Sequence, residues 1–217
     1  MDPRDEAVTF DGFTGPLLGL LRRPDEGAPK GILVLAHGRN ADRNEPLLVA
    51  LAGRSAVAGF VSLRFNFAFQ EANAEPSAGH EDEIADLRAA IAYGRQTAGG
   101  AVVTVVGRGL GAWATVACVT DEDAENAILL GLAYTGQPER RMALERLAEF
   151  EIPTLIFIGS ASDRVDVPGL KALVDPMPFI QLEIIEGADH RLKDPAGRTM
   201  TEHVIPKCEA WLRAQTA

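Results

Sequence analysis

The sequence predicts an α/β protein: a mostly parallel, doubly wound sheet with helices on both faces. Three observations carry that expectation. Apolar runs such as Gly31-Ile-Leu-Val-Leu-Ala36 are continuous rather than alternating, as strands buried on both faces must be. These runs alternate along the chain with segments whose apolar residues recur at helical spacing. One of them, Ala101-Val-Val-Thr-Val-Val-Gly-Arg-Gly-Leu-Gly-Ala-Trp113, passes through a glycine cluster straight into helix-forming residues, which is the pattern of strand, sharp turn and helix.

Taken in order, Val8 to Phe13 and Gly15 to Arg22 form a short antiparallel pair ended by Arg23-Pro24. Gly31 to Gly38 is a central strand. A helix follows at Asn44 to Ala58, with Asn44 placed to cap it and Pro46 in its first turn. Phe60 to Phe65 is the next strand. The connection Asn66 to His80, with Pro76 and Gly79, is long for a compact domain and is therefore functional or mobile. Glu81 to Thr97 is an amphipathic helix with Ile84, Leu87, Ile91 and Ala92 on one side. Beyond the glycine cluster and its helix come a strand at Asn126 to Ala133, a charged helix at Gln137 to Glu149 and a strand at Ile152 to Gly159. A helix at Val167 to Val174, a strand at Phe179 to Glu186 and a closing helix at Gly197 to Ala214 complete the chain. No repeat, low-complexity tract or linker divides it, so residues 1–217 are expected to form a single domain.

The 217 residues are 47% hydrophobic and carry a formal net charge of −10. That balance argues against nucleic acid and anionic membrane surfaces, both of which need clustered cations. The start, Met1-Asp-Pro-Arg-Asp-Glu6, has no apolar leader, and no run approaches the ~18 apolar residues of a membrane span. Cys118 and Cys208 fall inside predicted helices without metal-ligand spacing, which fits a reducing compartment and no disulfide framework. The expectation is a cytoplasmic protein with no metal and no cofactor, whose partner is a small-molecule substrate or ligand; a homodimer is left open.

The glycine cluster has competing readings. Gly107, Gly109 and Ala112 fit a G-x-G-x-x-A dinucleotide fingerprint, which wants an acidic residue about 20 positions on. Leu132 to Tyr134 hold none. A plain structural turn also remains open. In a parallel sheet, chemistry gathers beyond the carboxyl ends of the strands. Those ends carry His37-Gly38-Arg39, Arg64-Phe65-Asn66-Phe67, Gly107-Arg108-Gly109-Leu110-Gly111, Gly159-Ser-Ala-Ser-Asp163 and Glu186-Gly-Ala-Asp-His190. From about Gly31 onward this series resembles the α/β-hydrolases, and is most similar to their small, lidless dienelactone-hydrolase-like branch.

In that family the turn is written G-x-S-x-G, and the chain runs elbow, then acid, then histidine. Here Gly109 stands at the nucleophile position. The resemblance implies an α/β-hydrolase fold with no cap domain, since only Tyr134-Thr-Gly-Gln137 separates a strand from the next helix where a cap would be inserted. It also implies Asp163 and His190 as acid and base, with the backbone N–H groups of Leu110 and Arg39 as an oxyanion hole. Arg108, Arg64, Asn66 and His37 are candidates for substrate binding, the arginines pointing to a polar or anionic substrate.

Each residue also has an ordinary reading. His190 could be a surface-loop histidine, Asp163 and Asp189 could serve turns, and Asp166 is a second candidate acid. His37 in an H-G loop often packs structurally, and His80 and His203 lack supporting context. Ser160 and Ser162 lie near the expected site but on no elbow, and Cys118 sits two turns into its helix. Three functions follow: an enzyme acting non-covalently through the Asp163–His190 dyad, a non-catalytic binding protein, and a serine esterase or lactonase whose nucleophile has been replaced by glycine in this chain.

Overall fold

The computed structural model describes residues 2, 4–120, 122–137, 140, 141 and 144–215. At its centre β3 (Gly31–Ala36) is buried at every residue. It pairs in parallel with β4 (Val61–Phe65) on one side and β5 (Val102–Arg108) on the other. Parallel pairing continues outward from β5 through β6 (Asn126–Leu130), β7 (Thr154–Gly159) and β8 (Ile180–Ile185). On the far side of β4 an antiparallel hairpin, β1 (Glu6–Asp11) and β2 (Pro16–Arg22), closes the sheet. The order is β1-β2-β4-β3-β5-β6-β7-β8.

Because side chains alternate across a strand, the sheet divides its apolar residues into two cores. Ile32, Val34 and Ala36 face one core, and Leu33 and Leu35 the other. The Leu33 side is covered by α1 (Pro46–Val57) through Leu47, Leu48 and Leu51. The connection after β4 contains a single-turn helix, α2 (Ala68–Glu71), anchored by buried Phe67 and Phe69. The Ile32 side is covered by α3 (Glu81–Thr97) and α4 (Leu110–Cys118), and α5 (Val167–Val174) adds Leu170 and Val174 to it. The closing helix, α6 (Thr201–Gln215), returns to the Leu33 side with Val204, Ile205, Cys208 and Trp211.

This division of helices places the site. The chain steps from β3 to β4, then crosses back over β3 to β5. Right-handed crossovers put the helices on opposite faces whenever the direction reverses. A crevice therefore opens at the carboxyl ends of β3 and β5, the switch point where α/β sheets bind ligands.

Several boundaries differ from expectation, each for a local reason. Glu45, not Asn44, caps α1: its Oε2 accepts from Leu47 N at 3.0 Å and Leu48 N at 3.1 Å. β6 stops at Leu130 because Gly131 turns off with φ +71, where a Cβ would lie 2.5 Å from His190 O. Of the helix expected over Gln137 to Glu149, Arg140 and Arg141 are α-helical and Leu144–Glu149 is 3₁₀, with residues 138, 139, 142 and 143 outside the described residues. The last helix begins at Thr201 rather than Gly197, because the preceding loop is folded by a Lys193–Thr199 bridge. Among the described residues no cap domain is present: thirteen positions, 131–143, link β6 to the 3₁₀ segment. No helix among the described residues is long and apolar enough to cross a membrane.

The N-terminal hairpin is fastened to β4 by charge. Asp5 bridges Arg22 Nε at 2.7 Å and Arg64 Nη2 at 2.6 Å, with all three side chains at least 95% buried. Such a cluster holds together only while every member is paired.

Candidate active site

The turn between β5 and α4 is sharp and carries glycine at its central position, Gly109. Gly109 sits at φ +54 and ψ −106, a conformation that L-residues adopt only under strain. Its N–H donates to Leu130 O at 3.0 Å, and Gly111 N–H donates to His37 O at 3.1 Å, so both flanking strands pin the turn. The three glycines serve different ends. A Cβ on Gly107 would lie 2.5 Å from Ala112 N and Cα, and one on Gly111 would lie 2.7 Å from Ala36 C. Both are required by close backbone approach. A Cβ on Gly109 would meet only Gly38 Cα at 3.6 Å, an ordinary contact. The position has room for a side chain and carries none.

Next to this turn, the N–H groups of Leu110 and Arg39 donate no hydrogen bond among the described residues. Leu110 is the first residue of α4, where the N–H groups have no intrahelical partner and the helix dipole is positive.

The structure brings His190 and Asp163 together: His190 Nδ1 lies 3.3 Å from Asp163 Oδ1. Glycines hold both loops. A Cβ on Gly159 would lie 2.5 Å from Ala188 C, and Gly131 passes the backbone of His190 as closely. Asp189 Oδ1 accepts from Arg191 N at 2.8 Å and Lys193 N at 2.9 Å, fixing the loop immediately around the imidazole. The Asp163 side chain is 76% exposed, against 27% for His190. Water therefore screens the pair, and its ionic coupling falls in the range of about 0–1 kcal/mol.

Other candidates have structural employment. Asp166 caps α5 by accepting from Gly169 N at 3.1 Å. Ser160 Oγ accepts from Gly187 N at 2.8 Å, and Ser162 Oγ from Arg164 N at 3.2 Å. Cys118 is buried and its thiol is pushed up to about 12 by desolvation.

A cavity of about 680 Å³ opens over the elbow. Gly109, Leu110, Arg39, Arg108 and His190 line it, together with Gly38, Asp42, Glu45 and Gln70. Among the described residues no serine, threonine, cysteine or tyrosine does so. Arg108 is nine-tenths buried; its Nη2 donates to Arg191 O at 2.7 Å, and its Nε lies 3.1 Å from Glu45 Oε1, close enough for an ion pair but poorly aligned for a hydrogen bond. Burial pulls its pKa below the usual arginine value, and Glu45 opposes that pull.

Three expected substrate-binding residues do not reach the cavity. His37 is fully buried: Nδ1 lies 2.7 Å from Gly38 O and Nε2 accepts from Phe67 N at 3.1 Å. It packs edge-on against Phe67 and Phe69, and burial lowers its pKa, so it is a neutral clamp between two loops. Asn66 is spent on Arg43 N at 2.6 Å and Glu71 Oε1 at 2.7 Å. Arg64 points at Asp5 and Arg43 O, on the side of the N-terminal hairpin. In their place the cavity is lined by Arg140, Arg164, Arg191 and Lys193, which sequence reasoning missed. Arg164 and Arg191 directly follow Asp163 and His190, so a census of every charge in those loops would have found them.

A model of the alpha/beta hydrolase domain family matches residues 29–213. The chain belongs to that family. Among solved structures, it is similar to an Agrobacterium tumefaciens protein of unknown function suggested to be an alpha/beta hydrolase, at 21% identity and TM-score 0.79, covering 97% of this chain and 96% of that one. It also resembles a lidless a/b serine hydrolase of Xanthomonas campestris, at 16% identity and TM-score 0.74, covering 99% and 94%. A dienelactone hydrolase from Anabaena variabilis matches at 20% identity and TM-score 0.71, covering 99% of each chain. At these identities the likeness is one of fold. No curated protein sequence matches the chain.

Proposed function

We propose that this α/β-hydrolase acts non-covalently on a small polar or anionic substrate, with His190 as its base. The observation that carries the reading is the His190–Asp163 pair beside an elbow whose cavity offers no hydroxyl or thiol. With Nδ1 engaged by Asp163, Nε2 of His190 is the atom left to take a proton from water or from an acidic C–H of the substrate. The oxyanion that develops would be met by the N–H groups of Leu110 and Arg39.

Magnitudes restrict the chemistry. Loss of a triad serine costs on the order of 10⁶ in kcat, leaving about 10³–10⁴ over water. General-base help from a placed histidine adds roughly 10²–10⁴. Such a site suits reactive substrates: activated esters, strained lactones, or carbon acids undergoing elimination or epimerisation. In a panel of these, His190→Gln should lower turnover about 10²–10⁴-fold, and no acyl adduct should be seen on the wild-type chain by intact-mass spectrometry during turnover. Turnover unchanged in H190Q refutes the reading. A second reading, a serine hydrolase whose nucleophile has been replaced in this chain, is favoured by the free space at Gly109.

A further inference from the structure

The cavity has a sign opposite to that of the protein. The chain carries −10 overall, yet among the described residues five arginines (39, 108, 140, 164 and 191) and Lys193 line this one cavity against two carboxylates, Asp42 and Glu45. Arginines usually find surface carboxylates, and part of the set has done so. Arg39 pairs with Glu75, Arg108 with Glu45, and Arg164 stands 3.8 Å from the Asp163 that also holds His190. Arg191 and Lys193 make no ion pair among the described residues. Both follow His190 in sequence, and their backbone N–H groups are tied to Asp189, so they are held at the same rim.

The elbow supplies a second place for negative charge. In a serine hydrolase the hydroxyl stands in front of the first N–H of the elbow helix, and that N–H is needed only while an oxyanion exists. Here nothing projects from Gly109, and Leu110 and Arg39 line the cavity with N–H groups that donate no hydrogen bond among the described residues, Leu110 at the positive end of α4. A resting carboxylate or phosphoryl oxygen satisfies those donors permanently. We infer that the cavity holds a small dianion, one anionic group at the bare elbow and the other at Arg191 and Lys193. A cavity of about 680 Å³ admits a small molecule, and the chain's net charge of −10 repels nucleic acid.

The inference rests on the site proposed above but not on its turnover, so binding alone tests it. Calorimetric titration at low salt would use succinate, acetate, inorganic phosphate and dimethyl succinate. Succinate should bind at least tenfold more tightly than acetate, and the neutral dimethyl ester should be silent. A phosphate that displaces succinate identifies a phosphoryl group as the preferred anion. The double variant R191Q/K193Q should bring succinate down to the level of acetate while leaving the melting temperature in place. Gly109→Ser should weaken succinate several-fold by putting a hydroxyl in front of the donors. The inference is overturned if the dimethyl ester binds as well as succinate, if R191Q/K193Q leaves succinate unchanged, or if succinate and phosphate are both silent. H190Q separates the two proposals: it should lower turnover about 10²–10⁴-fold while succinate binding persists.

Discussion

Introducing a hydroxyl at the elbow is the most informative single change. Gly109→Ser places an Oγ on a Cβ whose nearest neighbour is Gly38 Cα at 3.6 Å, so no steric term opposes it. What opposes it is the backbone. At φ +54 and ψ −106 a serine accepts strain of roughly 1–3 kcal/mol. For a chain of this size each kcal/mol lowers Tm by about 2–4 °C, giving an expected loss of roughly 2–12 °C by differential scanning calorimetry. In exchange the new hydroxyl stands next to Leu110 N–H on the rim that carries His190. The variant should label with a fluorophosphonate and hydrolyse an activated ester at a rate that the added His190→Gln abolishes. Gly107→Ala supplies the contrast. Its Cβ overlaps Ala112 N and Cα at 2.5 Å, backbone atoms that no rotamer change can move aside. It should cost at least the roughly 1–3 kcal/mol of an overpacked site with no gain of chemistry. A well-folded G109S that neither labels nor hydrolyses would show that His190 and the backbone donors do not converge on residue 109.

Other consequences can be measured separately. Asp163→Asn should lower turnover far less than the ~10⁴ of a buried triad acid, because Asp163 is 76% exposed; a full 10⁴-fold loss would mean that the loop closes over it during the reaction. Asp5→Asn leaves Arg22 and Arg64 buried without their shared carboxylate and should cost about 3–5 kcal/mol in urea melts. His37 sets a pH dependence of stability. Burial holds its folded pKa below the ordinary 6.5, so below about pH 6.5 the unfolded chain binds a proton that the folded chain refuses. Its stabilising contribution is present above that pH and is lost as the pH falls. The melting-temperature drop between pH 7 and pH 5 should be smaller in His37→Gln, a variant destabilised at both pH values by about 1–3 kcal/mol through the unpaired Phe67 N–H.

Where local sequence dictates structure, the fold was legible. The Gly31–Ala36 run could only be a strand buried on both faces, and the spacing of Gly107, Gly109 and Gly111 specified the turn because two of them are contact positions for passing backbone. The pairing of Asp163 with His190 was legible only through the chain order of the family that the sequence resembles. Long-range partners were not. Nothing near His37 announces that Phe67 N–H will meet its Nε2, nor does β4 show that Arg64 will turn toward Asp5, 59 residues earlier. Glu45 was passed over as a cap because Asn44 is the better intrinsic capper, yet Glu45 is the residue that meets α1 and Arg108 together. The connection expected to be functional or mobile is anchored near its start by buried Phe67 and Phe69, and it contributes Gln70 to the cavity wall.

Glycine contacts fix every loop of this site, at Gly107 and Gly111 beneath the elbow and at Gly131 and Gly159 against the histidine loop. Nothing in that framework refers to the side chain at 109. The position behaves as a socket: its direction is set by backbone, its surroundings are vacant, and what is plugged in decides whether the same crevice forms an acyl-enzyme, passes a proton, or simply grips an anion. On the function proposed above, a single codon would change the reaction class while the glycine-held loops keep their place.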